Sequence, residues 1–268
     1  MRLLILTKRS LITLSFCLLV GALTAAIAVS SATKAVQTAT TQREIPIYCV
    51  DTTKKQVALS FDAAWGNEQT DQLLEILEKY NVKTTFFLVG EWVDKYPDDV
   101  KKISAKGHDV ENHSNTHPHM SQMSTADITG EIQACNEKIK KLTGKTPTLF
   151  RAPYGDYNND VVKSVKGCNM YCVQWDVDSL DWKDPTPEQI KQNVVSKIKN
   201  GSIILMHNGA KNTPESLPYV IEAIKEQGYE IVPISKILLK CDYYTDVQGK
   251  MCPKETSETQ NSVASATQ

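Results

Sequence analysis

Two histidines of this 268-residue sequence, His113 and His117, stand four residues apart in the run Glu111-Asn-His-Ser-Asn-Thr-His117. If the segment coils, both imidazoles point to one place, where together with a carboxylate they would hold a divalent metal; otherwise they are a surface or capping pair. A metal held in this way makes bound water acidic enough to attack at neutral pH. Asp62 ends the apolar run 57–61, where a carboxylate has no packing reason to sit. It is a candidate general base, or a cap for the helix after it. Arg151, within Phe150-Arg-Ala-Pro-Tyr-Gly155, would hold that carboxylate ionised through a bidentate bond, or else form a surface ion pair. His207 follows the apolar run 203–206 and titrates near neutrality, so it is a candidate general acid, or a core histidine bonded to backbone. Asp178 and Asp181 complete the loaded set, whereas His108 and His119 read as bystanders.

These residues lie far apart in sequence, so the fold must gather them. Short β-rich runs at 57–61, 84–89, 109–111, 148–150, 171–175, 202–206 and 230–233 alternate with helical patterns. The helical patterns fall at 69–80, 99–105, 126–142, 159–165, 187–199 and 214–226, with Thr125 as a start signal and Gly144, Gly201 and Gly228 as stops. Repeated strand-helix order implies an α/β fold with a parallel sheet, open or closed into a barrel, and chemistry at the carboxyl ends of the strands. Every loaded residue falls at or just after such an end, which predicts that they share one face.

Taken in order, the residues resemble the polysaccharide deacetylase family, the carbohydrate esterases built on the NodB homology domain. The likeness covers residues 55–238 and rests on five motifs: Ser60-Phe-Asp62, His113-Ser-Asn-Thr-His117, Arg151-Ala-Pro-Tyr154, Asp178-Ser-Leu-Asp181-Trp182 and Leu205-Met-His207. It implies a distorted (β/α) barrel and removal of N-acetyl groups from a cell-wall glycan by metal-assisted amide hydrolysis. In that scheme Asp62 is the base, His113 and His117 hold a divalent metal, with zinc expected, and the backbone N–H of Tyr154 helps stabilise the oxyanion. His207, oriented by Asp178, protonates the leaving amine, Arg151 orients Asp62, and Trp182 and Leu205 wall the acetyl pocket.

One position departs from the family pattern. The first motif normally holds two adjacent aspartates, a base and a metal ligand, but here the pair is Asp62-Ala63. The run Phe61-Asp-Ala-Ala-Trp-Gly66 is similar to a subgroup associated with sporulation and wall maturation, which implies peptidoglycan rather than chitin as substrate. Three readings of the loss stay open: two histidines and waters hold a weaker metal, Asp62 becomes the ligand, or the domain binds glycan without cleaving it. No His-Glu-x-x-His run is present, which sets a metalloprotease aside.

The two ends of the chain and its overall charge bound the setting. Arg2, Lys8 and Arg9 precede an apolar run from 11 to 29, so residues 1–30 read as a signal peptide or membrane anchor that places the remaining residues outside the cytoplasm. Residues 31–47 read as a linker, 48–252 as the catalytic domain and 253–268 as a disordered tail poor in apolar residues. With 30 basic against 31 acidic residues, nothing recommends nucleic acid or an anionic membrane surface as partner. The expected partners are a cell-wall glycan and, through the N-terminal segment only, the membrane; a monomer is expected. Six cysteines follow Cys17, and Cys241 with Cys252 is the pairing that would close the carboxyl end.

Overall fold

The computed structural model describes residues 43–254; the segment expected to be a signal peptide or membrane anchor, most of the expected linker and nearly all of the expected tail lie outside the described residues. The chain joins the fold earlier than the sequence predicts. The Glu44 N–H donates to Asn159 Oδ1 at 2.9 Å, and Ile47, only 2% exposed, bridges to Val173. The expected linker is therefore corrected at its end, because the apolar Ile45-Pro-Ile47 has a hydrophobic surface to cover.

After β1 (Cys49–Val50), β2 (Gln56–Ala63) forms the centre of the molecule. Its alternation sorts the side chains: Val57, Leu59, Phe61 and Ala63 enter the larger apolar cluster, while Ala58, Ser60 and Asp62 alternate with them, the last two buried and polar. Helix α1 (Thr70–Lys79) lays Leu73, Leu74 and Leu77 on that cluster. The chain then runs through β3 (Thr85–Leu88), α2 (Gly90–Lys95), α3 (Pro97–Ala105) and β4 (Asp109–Asn112). Next come α4 (Thr125–Thr143), β5 (Leu149–Phe150), α5 (Asn159–Gly167), β6 (Tyr171–Cys172) and β7 (Val177–Asp178). The last units are α6 (Pro187–Val195), β8 (Ile203–His207), α7 (Thr213–Glu226), β9 (Glu230–Val232) and α8 (Ile234–Ile237).

The strands pair in the order β6-β5-β4-β3-β2-β8-β7, with β9 also against β2, and every pairing in this sheet is parallel. The sheet curls as a half-barrel between β6 and β7, which is the distorted (β/α) barrel expected. In a small second sheet β1 and β10 (Tyr243–Thr245) flank β11 (Lys250–Pro253), the last two strands following the last helix.

Local differences have local causes. The cap of α4 is Ser124, one residue before the predicted Thr125: its hydroxyl accepts the Asp127 N–H at 3.2 Å. Helix α6 starts on a Thr186–Gln189 capping box but stops at Val195. The chain must then turn through Gly201 at φ 81°, where a Cβ would lie 1.8 Å from the Val50 carbonyl oxygen. The cysteines from Cys49 to Cys252 are all free, and in the β10–β11 ladder Cys252 faces Tyr244 rather than Cys241. No helix among the described residues is long and apolar enough to cross a membrane.

Candidate active site

Asp62, next to last in β2, and His207, last in β8, are direct partners in the β2–β8 register, and the Asn208 N–H donates to the Asp62 carbonyl at 2.9 Å. Parallel pairing thus brings the proposed base and acid to one strand end. Around them Ala64, Trp65, His113, His117, Tyr154, Trp175, Asp178, Trp182 and Leu205 complete a cavity of about 490 Å³. A roomier cleft of about 550 Å³ runs past Cys49, but its charges neutralise one another, Lys199 facing Asp176 at 3.5 Å and Lys250 facing Asp51 at 3.4 Å. The cavity with unspent chemistry is the first.

Asp62 is held by Arg151, whose Nη1 donates to Oδ1 at 2.7 Å. The bond is single rather than bidentate: Nη2 turns away to Ser60 Oγ at 2.9 Å and the Gln174 carbonyl at 3.3 Å. Arg151 is completely buried and its guanidinium lies 4.1 Å from the Phe87 ring centre, so it is no surface ion pair. Burial pushes the Asp62 carboxyl up, but the charges of Arg151, His113 and His207 and the Arg151 hydrogen bond outweigh it and hold the group below the usual carboxylate value.

The two histidines do converge, though not on a helix. The loop after β4 passes through left-handed residues at Ser114 (φ 67°) and His117 (φ 60°), which bring the rings to a centroid distance of 5.0 Å. Glu131 on α4 pins the loop by accepting the N–H groups of Asn115 and Thr116, each at 2.8 Å. His113 Nδ1 donates to the Arg151 carbonyl at 2.8 Å, which leaves Nε2 facing Asp62 Oδ2 at 3.5 Å. Burial lowers both imidazoles, His117 to about 4, so both are neutral and in the form that binds a metal. These two nitrogens fit the imidazole half of a divalent-metal site. Asp62 is the carboxylate at hand, but among the described residues no three His, Cys, Asp or Glu groups converge as a metal centre, and Ala63 sits in the apolar cluster.

One role is corrected. The carboxylate that orients His207 is Asp181, not Asp178. His207 Nδ1 donates to Asp181 Oδ1 at 2.7 Å, while the His207 backbone N–H and the Thr213 hydroxyl donate to Oδ2 at 2.7 Å each. Asp178 Oδ1 instead accepts the Leu180 N–H at 2.8 Å, and Leu180 at φ 57° turns the chain so that Asp181 passes beneath the imidazole. Burial pulls His207 down, yet the hydrogen bond and charge of Asp181, with the charges of Asp62 and Asp178, leave it above its ordinary value. Tyr154 lies in a 3-10 turn at φ 59°, its ring against His117 at 4.5 Å and stacked on His119 at 4.3 Å. Sequence reasoning does not reach Ser60, Glu131 and Thr213 as supports; of these, Ser60 carries a signal, a hydroxyl inside an apolar strand.

Residues 50–173 match the family model for polysaccharide deacetylase. A peptidoglycan-N-acetylglucosamine deacetylase of Bacillus cereus is 34% identical over 68% of this chain and 67% of its own length. The peptidoglycan-N-acetylmuramic acid deacetylase PdaC of Bacillus subtilis is 33% identical over 70% of this chain and 40% of its own. The crystal structure of a CE4 family pseudoenzyme from Bacillus anthracis superposes with a TM-score of 0.70 at 40% identity, covering 72% of this chain and 68% of that one; a mutant of that pseudoenzyme has restored enzymatic activity. The chain spans 39% to 60% of the length of several curated relatives it matches. With its curled parallel sheet, its five motifs in order and these relatives, the chain belongs to the polysaccharide deacetylase family.

Proposed function

We propose that this protein removes N-acetyl groups from the amino sugars of a cell-wall polysaccharide, peptidoglycan being the substrate, outside the cytoplasm. The observation that carries this reading is the pairing, across one cavity, of a carboxylate hydrogen-bonded to Arg151 with an imidazole hydrogen-bonded to Asp181. Binding alone would need neither. Asp62 takes the proton of the attacking water, and His207 gives its Nε2 proton to the departing amine, since Nδ1 is committed to Asp181. The backbone N–H of Tyr154 donates to the developing oxyanion, and Trp182 and Leu205 wall the acetyl methyl. His113 and His117 would hold a divalent ion, zinc by ligand preference, which when bound supplies a Lewis acid for the carbonyl and lowers the pKa of water.

The test is acetate release from acetylated muropeptides by the full chain with zinc added. Release that disappears in Asp62→Asn supports the reading; no release under any divalent metal refutes it. A second reading, a glycan-binding protein on an inactive esterase scaffold, draws on Ala63 and on the similarity to a pseudoenzyme. It predicts saturable glycan binding with no acetate and no stoichiometric metal.

A further inference from the structure

Trp65 takes no part in that proton transfer, yet it stands over the proposed acid. Its indole lies 5.4 Å from the His207 ring, tilted by 35°. It is nevertheless 52% exposed, although a side chain of this size is among the most rewarding to bury. Its pose is built. Trp92 Nε1 donates to the Gly66 carbonyl at 3.1 Å and ties down the next residue. Gly209 lets the segments approach, since a Cβ there would come within 3.3 Å of Trp65 Cβ. Among the described residues, the large apolar side chains more than half exposed or at half exposure include Trp65, Trp182 at 50% and Tyr154 at 62%, and these three line the same cavity; Tyr219, Tyr244 and Val247 do not.

The geometry points to Trp65 as the specificity-determining platform on which a pyranose ring of the glycan stacks, setting the acetamido group beside His207. A pyranose presents axial C–H groups on one face, which suit the electron-rich face of an indole, and its hydroxyls stay in water at the rim. One side of Trp65 meets His207 and the remainder opens to the cavity, so a sugar there would touch both the platform and the acid. The inference rests on the reading of this cavity as a glycan site, and it adds which residue grips the sugar.

The test is calorimetric titration of the metal-stripped full chain with a tetrasaccharide of alternating β-1,4-linked N-acetylglucosamine and N-acetylmuramic acid. Trp65→Ala is expected to weaken binding about tenfold, Trp65→Phe about threefold or less because a flat ring is kept, and Tyr219→Ala not at all. Should Trp65→Ala lose its circular dichroism signature, Trp65→Gln carries the same comparison. Equal affinity of the ring-less variant and the wild type overturns the inference, as does absence of tetrasaccharide binding by the wild type. Trp65-dependent binding without acetate release from the zinc-loaded chain refutes deacetylation and leaves the platform standing.

Discussion

Replacing Arg151 by Met is the most searching perturbation of this site. The guanidinium is completely buried, and Asp62 beside it is only 5% exposed, so neither group can recover water when the other is removed. Met keeps an unbranched stem of comparable length against Phe87, so the change removes charge and donors more than volume. Lost are the 2.7 Å bond to Asp62 and the weaker ones to Ser60 and the Gln174 carbonyl. Breaking a buried pair from one side destabilises by about 3–5 kcal/mol, mainly because the remaining charge is stranded. Urea unfolding followed by circular dichroism at neutral pH, with chelator present, should therefore show a loss of that size. The double variant Asp62→Asn with Arg151→Met should recover about half of it, since no buried charge is left. A single-variant loss below about 1 kcal/mol, or a double variant no more stable than the single, would refute the argument that Arg151 serves Asp62.

Three further outcomes rest on the same geometry. Asp181→Asn removes the group that holds His207 above its ordinary value; because an acid works only while protonated, the alkaline limb of kcat/KM for acetate release should move to lower pH and the neutral rate fall by about 10² or more, with a smaller change in Asp178→Asn. An imidazole NMR titration reads the same shift if turnover is absent. Ala63→Asp should tighten zinc binding measured by competition with a chromophoric chelator, and an unchanged affinity would place the ion away from the end of β2. His108, lowered by burial to about 4 from 6.5, accepts the Thr84 N–H. Its stability contribution is present above 6.5 and lost as pH falls toward 4, so His108→Asn, whose Oδ1 can take the same N–H, should lose up to about 3 kcal/mol less than wild type between neutrality and pH 4.

Much of this is legible in the sequence because strand ends announce themselves. Asp62 and His207 each follow an apolar run that nothing but a sheet interior would require, and those runs form β2 and β8. The hidden part depends on backbone conformations that residue types do not encode. Asp178 and Asp181 are equivalent on paper, and only the left-handed turn at Leu180 decides which reaches the imidazole. The four-residue spacing of His113 and His117 suggests a coil, yet the convergence comes from two left-handed residues in a loop pinned by Glu131, whose helix begins well after the motif. Trp65 carries no signal beyond its type, because half-exposure is a property of neighbours such as Gly209 that join it only in space.

The β2–β8 register has an implication for how such a domain changes over time. Because main-chain bonds set the separation of Asp62 and His207, a lineage can lose a neighbouring ligand such as the one absent at Ala63 without disturbing that spacing. A copy altered at that position would still hold the two side chains at the same separation.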